Sequence, residues 1–146
     1  MSEEKVVRVS DVMKSQFDMI DGKLTVTDAI KRMKHVETKT LIVDKRHVDD
    51  EYGMVLLADI AKHVLAVDRS PERVNVYEIM TKPVLAVPPD MDIRYCARLF
   101  DRFGLSRAPV LEHGKVVGIV SFTDLVLRGF FQISSDRVYT RLKWME

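Results

Sequence analysis

The chain has 146 residues, 47% hydrophobic and 31% charged, with a formal net charge of +1. That is an ordinary globular balance, suited to one compact domain or two tightly fused halves, and it gives no electrostatic case for binding bulk nucleic acid or an anionic membrane. Cys96 is the only cysteine, which excludes an internal disulfide, and no apolar run is long enough to span a bilayer. The opening Met1-Ser2-Glu3-Glu4-Lys5 is charged and carries no signal-peptide pattern. A cytoplasmic protein is therefore the expectation.

In chain order, the pattern predicts a short extended stretch over 17–20, then an amphipathic helix with Ala29, Ile30, Met33 and Val36 on one face. Thr25 and Asp28 suit the first turn of that helix. A strand follows over 41–43, then a charged hairpin loop, Asp44–Tyr52, a second strand over 54–57 and a helix over 58–67. Pro71 and its charged neighbours mark a linker. The order then recurs. There is an extended stretch over 84–87 and a helix presenting Cys96, Ala97, Phe100 and Phe103, with Asp92 as its cap and Gly104 as its end. Next come a strand over 108–111, the hairpin signal Glu112-His113-Gly114-Lys115, a strand over 116–120 and a helix over 123–131. Cys96 falls on the core face and reads as a buried small apolar group. The tail, 132–146, is expected to be helical and docked.

The recurrence is an internal repeat. Met13 and Met80 stand 67 positions apart, and that offset holds without a gap for about thirty residues. Val12 faces Ile79, Ile20 faces Val87, Ala29 faces Cys96, Met33 faces Phe100 and Val43 faces Val110. Beyond Val43 the offset becomes 65, matching Gly53 to Gly118 and Asp59 to Asp124, so the first copy carries two extra residues in its hairpin loop. Each copy reads β-α-β-β-α. A unit of about 55 residues is too small to bury a sizeable core alone, so the two copies should pack about a pseudo-twofold axis. The divisions are a first repeat at 1–67, a linker at 68–75, a second repeat at 76–131 and the tail.

Two stretches of the second copy suit a ligand. In Gly118-Ile119-Val120-Ser121-Phe122-Thr123-Asp124-Leu125 a strand gives way to a helix, and Ser121 and Asp124 point into the same space. Free backbone N–H groups there attract phosphate, and a carboxylate accepts hydrogen bonds from a vicinal diol, a combination that suits a ribose with its phosphate. The same residue types also serve as simple helix caps. Arg107, in Ser106-Arg107-Ala108-Pro109-Val110, stands just before a strand, where a guanidinium pairs with phosphate or is merely solvated. Other candidates are weaker. His47, Asp49, Asp50 and Glu51 read as a hydrated loop rather than a metal site, and His35 and His63 lack ligand spacing. There is no dinucleotide or phosphate-loop motif, no nucleophile elbow and no acid–base pair that calls for catalysis.

Together these motifs resemble the cystathionine-beta-synthase domain pair, or Bateman module, over nearly the entire chain. The marks are Val76, Met80 and Thr81 in a Val-x-x-x-Met-Thr segment, Arg107, Pro109 and Val110 in Arg-x-Pro-Val, and the Gly118–Leu125 turn. The resemblance implies an α/β fold of tandem repeats whose clefts bind adenosyl ligands such as AMP, ADP, ATP, NAD or S-adenosylmethionine. It puts Asp124 on the ribose hydroxyls, Ser121 and Thr123 near ribose or phosphate, and Ser106 and Arg107 on phosphate. Val84, Leu85, Ala86 and Pro109 would edge the base.

Copy one departs from the pattern. Asp59 is kept, but Leu56 replaces Ser121, Ala58 replaces Thr123, Thr40 replaces Arg107 and Ile42 replaces Pro109. Phe17, Asp18 and Met19 are bulkier and more polar than the aligned base-holding residues. The expectation is unequal sites: a better one at Asp124, and a weaker one at Asp59, either empty or served by Lys39 and Thr40. The functional expectation is a stand-alone regulatory module sensing an adenine nucleotide without catalysis, with no catalytic cofactor and no metal. A homodimer and an unknown regulated protein are the expected partners. The alternative is a structural module that dimerises around vestigial clefts.

Overall fold

A computed structural model of the chain describes residues 6–129 and residue 132. The expected docked helix of the tail thus lies outside the described residues, apart from Gln132. The fold is mixed α and β, as the pattern predicts, and it divides into two compact units. One takes its described residues from 6–15 and from position 86 onward; the other is Gln16–Leu85. Each unit therefore gathers a leading segment that the chain order places just before the other repeat.

The Gln16–Leu85 unit is built on a three-stranded sheet of β1 (Asp18–Ile20), β2 (Thr40–Val43) and β3 (Gly53–Leu56). The first pair is parallel and the second antiparallel, with Ile20 opposite Val43 and Thr40 opposite Leu56. All four residues of β2 are buried, as expected of a central strand. Its core gathers Ile20, Val26, Ala29, Leu41, Val55 and Val64 with Val74 from the end of the linker and Val76 and Ile79 from the segment after it.

Helix α2 (Val26–Arg32) begins as predicted, with the Thr25 hydroxyl accepting from the Asp28 N–H at 3.1 Å. It ends a turn earlier than its hydrophobic spacing suggests. The buried Asp18 carboxylate accepts the backbone N–H groups of Lys34 at 2.9 Å and His35 at 2.8 Å, which turns the chain away. Ala29 is buried, but Ile30 and Val36 are 46% and 61% exposed, so the four-residue core face drawn from spacing is not realised. The closing helix α3 (Leu57–Ile60) continues as a wider turn over Ala61–Leu65.

The other unit opens with one helical turn, α1 (Val9–Val12), and continues through α4 (Ile93–Phe103), β4 (Arg107–Glu112), β5 (Lys115–Ser121) and α5 (Phe122–Leu127). Asp92 caps α4 through the Arg94 N–H at 2.8 Å, and Gly104 closes it at φ 64°. Cys96 and Phe100 are fully buried, while Phe103 is 56% exposed and leaves the core face expected for it. Burial pushes the Cys96 thiol up to about 11, in keeping with a small apolar role. Phe100 meets Phe122 edge to face at 5.2 Å. The hairpin turns at His113 and Gly114, both at positive φ, a mirror-image turn that matches strand twist. The extended stretch expected over 84–87 is reduced to a single parallel bridge, Val87 to Val110.

The leading segments do equivalent work in the two units. The N–H groups of Val9 and Ser10 donate to Met91 O and Pro89 O at 2.8 and 2.9 Å. In the other unit Val76 and Tyr77 donate to Leu24 O and Gly22 O at 2.9 and 3.0 Å. The repeat methionines explain themselves here. A Cβ added at Gly118 would lie 2.7 Å from the Met13 sulfur and 2.8 Å from the Lys14 carbonyl oxygen; one at Gly53 would lie 2.8 Å from the Met80 sulfur, with backbone no nearer than 3.4 Å. Each methionine rests on the glycine of its own unit's strand.

Gly118→Ala is therefore expected to destabilise the protein by about 1–3 kcal/mol in urea titration, because backbone must shift. Gly53→Ala should cost less, since the flexible end of Met80 can move. Equal midpoints for the two variants would contradict this packing.

Candidate functional site

The strand-to-helix turn of the unit that opens with α1 assembles around Asp124. Ser121 leaves β5 in extended backbone and caps α5, its hydroxyl accepting from the Asp124 N–H at 3.1 Å. Asp124 reaches back, and its Oδ2 accepts from the Ser121 N–H and Ser121 Oγ, each at 3.0 Å. Its side chain is 3% exposed. A carboxylate so buried needs a counter-charge, and Lys14 supplies it, Nζ donating to Oδ1. Of the two roles that the sequence leaves open for Ser121 and Asp124, capping is the one these bonds make.

Arg107 stands directly opposite Ser121 in the β4–β5 ladder. Burial lowers its pKa from the usual guanidinium value, and the negative charge of Asp124 works in the opposite direction. Ser106 is exposed and its carbonyl accepts the Phe122 N–H at 2.9 Å. Thr123 is exposed at the start of α5, whereas Pro109 is buried in β4 with its carbonyl accepting the Val87 N–H at 3.1 Å. Ala86, half-buried, belongs to this unit; Val84 and Leu85, also half-buried, end the other.

The Asp59 region repeats the backbone but not the chemistry. Asp59 Oδ2 accepts the Leu56 N–H at 2.8 Å, and the Lys39 carbonyl accepts the Leu57 N–H at 3.1 Å, as Ser106 does for Phe122. Lys39 adopts left-handed backbone at φ 54°. Thr40 is fully buried with its hydroxyl committed to the Thr38 carbonyl at 2.9 Å. Asp18, at an aligned base-holding position, is spent on the turn after α2.

The extra residues of the first hairpin form an organised loop rather than a loosely hydrated one. Asp50 accepts from the Arg46 side chain at 3.0 Å and from Lys82 Nζ at 2.9 Å, and these bonds hold its carboxyl well below the usual carboxylate range. Arg46 and Lys82 also border a cavity of about 400 Å³ floored by Gly22, Val43, Tyr77 and Met80. Among the described residues, no group of three or more His, Cys, Asp or Glu is placed to hold a metal ion, and no helix is long and apolar enough to cross a membrane.

The residue missed from sequence is Lys14. The 67-residue offset aligns it with Thr81, and chain order assigns it to the copy containing Asp59. The signal was a lysine where the second copy has the threonine of Met-Thr.

Comparison with known proteins bears on the family and the fold. The CBS domain model matches residues 76–128. The structure of a hexameric CBS-CP12 protein from bloom-forming cyanobacteria is 38% identical, covering 86% of this chain and 70% of that one with a TM-score of 0.82. The chain belongs to the CBS-domain family. Among curated relatives, an uncharacterized protein of Methanopyrus kandleri, MK0525, is 29% identical over 113 residues, 75% of this chain and 57% of its own length. The CBS pair thus spans less than three fifths of the archaeal relatives that it matches in this way. The CBS domain pair of protein MJ0100, solved with 5-methylthioadenosine and S-adenosyl-L-methionine, is 21% identical with a TM-score of 0.69, covers 94% of this chain and 98% of its own, and shares the fold.

The Asp124 network makes a stability prediction. Asp124→Ala removes a buried acceptor from two Ser121 donors and Lys14, and should cost about 1–3 kcal/mol. Asp59→Ala removes one half-buried cap and should cost under about 1 kcal/mol. Urea midpoints at neutral pH check the order, and a costlier Asp59→Ala would contradict it.

Proposed function

We propose that this CBS pair is a regulatory module that takes an adenine nucleotide or other adenosyl ligand at the Ser121–Asp124 turn and responds by changing shape or partner affinity, without chemistry. The observation that carries the reading is the buried Asp124 carboxylate, set beside a hydroxyl, Lys14 and Arg107. A carboxylate is suited to a ribose diol, and the cations are suited to a phosphate. The adenosyl compounds named with the MJ0100 pair make this ligand class the first to test. The Asp59 region is the weaker site in this reading, because it lacks the hydroxyl and the guanidinium and its Thr40 is occupied. A regulatory response requires the ligand to favour one conformation; affinity alone shifts nothing.

A second reading, a dimerising structural module with vestigial sites, is favoured by two observations. Asp124 already has protein partners on both oxygens, and Tyr95, Phe103 and Leu127 are 62%, 56% and 53% exposed on helices α4 and α5. Self-association as a homodimer through such helix faces is compatible with both readings.

Thermal shift separates them. Ligand at a hundred times its dissociation constant should stabilise the fold by about 2.7 kcal/mol, raising the midpoint on the order of 5–10 °C. Asp124→Ala should weaken binding about ten- to a hundred-fold, and Asp59→Ala less. No shift with AMP, ADP, ATP, NAD or S-adenosylmethionine would leave only the structural reading standing.

A further inference from the structure

We propose that residues 133–146 dock back on the outer side of α4 and α5, with Leu142 and Trp144 seated among Tyr95, Phe103 and Leu127, so that the chain covers its own apolar helix face. Those fourteen positions lie outside the described residues. Their place is inferred from where the chain enters them, from what that entry leaves uncovered and from their sequence.

Both helices build the face. Cys96 and Phe100 turn one side of α4 into the core, while Tyr95, the half-buried Leu99 and Phe103 line an outward side at four-residue spacing. Phe122 and Val126 of α5 are exposed at the same spacing, and the Phe122 ring meets Phe100 at 5.2 Å, which joins the apolar sides of the two helices. The first copy has no such face. Asp28, Arg32 and Val36 stand at the positions of Tyr95, Leu99 and Phe103, and Lys62 stands at that of Leu127. The apolar face therefore belongs to the copy that residues 133–146 follow.

The path of the chain leads to that face. The Gln132 N–H donates to Gly129 O at 2.9 Å, and a Cβ added at Gly129 would lie 2.6 Å from Ile93 Cδ1. The chain thus leaves α5 against the first residue of α4, two positions before Tyr95. In the first copy the segment after the closing helix returns to the matching place, where Val26, aligned with Ile93, donates its N–H to Val74 O at 2.8 Å. In the second copy this inner seat is taken, because the Ile93 N–H donates to Val7 O at 3.0 Å. The outer face remains. Residues 133–146 suit it, carrying Ile133, Val138, Tyr139, Leu142, Trp144 and Met145. A short tether holds them at an effective concentration on the order of millimolar, well above that at which a second copy would have to compete.

Trp144 is the only tryptophan, so its fluorescence on the full chain reads the seat directly. In the wild type its emission should lie to the blue of water-exposed tryptophan and resist quenching by acrylamide. Phe103→Ser and Leu127→Ser, both at exposed positions, should move the emission to the red and open it to the quencher. Val36→Ser, at the aligned exposed position of the other unit, should leave it unchanged. Far-UV circular dichroism checks that the variants keep their helices, and Leu127→Ser gives the reading if Phe103→Ser fails to fold. An excess of Trp144→Phe chain, which brings an intact face but no tryptophan, should not restore the emission of Phe103→Ser. A water-exposed Trp144 in the wild type overturns the proposal, as does protection that survives a folded Phe103→Ser or Leu127→Ser. Protection lost on dilution, or restored by the Trp144→Phe chain, gives the seat to a second copy and overturns it too.

Discussion

Each unit depends on a reciprocal pair of backbone hydrogen bonds between its leading segment and its glycine-bearing strand. In one unit Lys14 and Ile119 exchange bonds; in the other Thr81 and Met54 exchange them at 2.9 and 3.0 Å. The pairing needs a close approach, so the strand carries glycine at 118 or 53, and the methionine at 13 or 80 fills the space that a side chain would have taken. It also completes a core. Val7, Val9 and Val12 are fully buried in one unit, as Val74 and Val76 are in the other. A β-α-β-β-α unit of about 55 residues buries too little apolar surface to be secure. The borrowed segment supplies the missing hydrophobic face.

The same pairing delivers charge to chosen places, and the two repeats have diverged in what they deliver. In the first-described case the segment brings an ammonium to the helix-start aspartate. In the second it brings threonine to the bridge and places the following lysine on Asp50, where Arg46 joins it. The two-residue insertion of the first hairpin is thus part of an ion-pair network. The helix-start aspartates differ accordingly. Asp124 is buried and multiply bonded, while Asp59 is half-buried and has the Leu56 N–H as its described hydrogen-bond donor. Symmetric backbone with asymmetric side chains is how one site of a duplicated pair can specialise while the scaffold is kept.

Much of this was legible in the sequence. Class-by-class matching of the copies gave the element order, and local turn chemistry gave the caps at Thr25 and Asp92, the end at Gly104 and the hairpin at His113–Gly114. What escaped was set by distant partners. The early end of α2 depends on Asp18, sixteen residues before the N–H it accepts. The order of the hairpin loop depends on Lys82, thirty-two residues beyond Asp50. The partner of Asp124 lies 110 residues away and in the leading segment of the other repeat. Aligning copies by offset compares like with like along the chain. It does not reveal that a unit in space joins the head of one repeat to the body of the next.

The central claim is that ligand chemistry is concentrated at Asp124 and not shared equally with Asp59. Its most direct test is amide chemical-shift mapping on the isotope-labelled chain during titration with AMP. The account predicts shifts confined first to residues 13–14, 106–107 and 118–124, with saturation there before any response at 39–40 or 56–59. Equal and simultaneous shifts at both sets, or shifts at 39–40 and 56–59 alone, would contradict it.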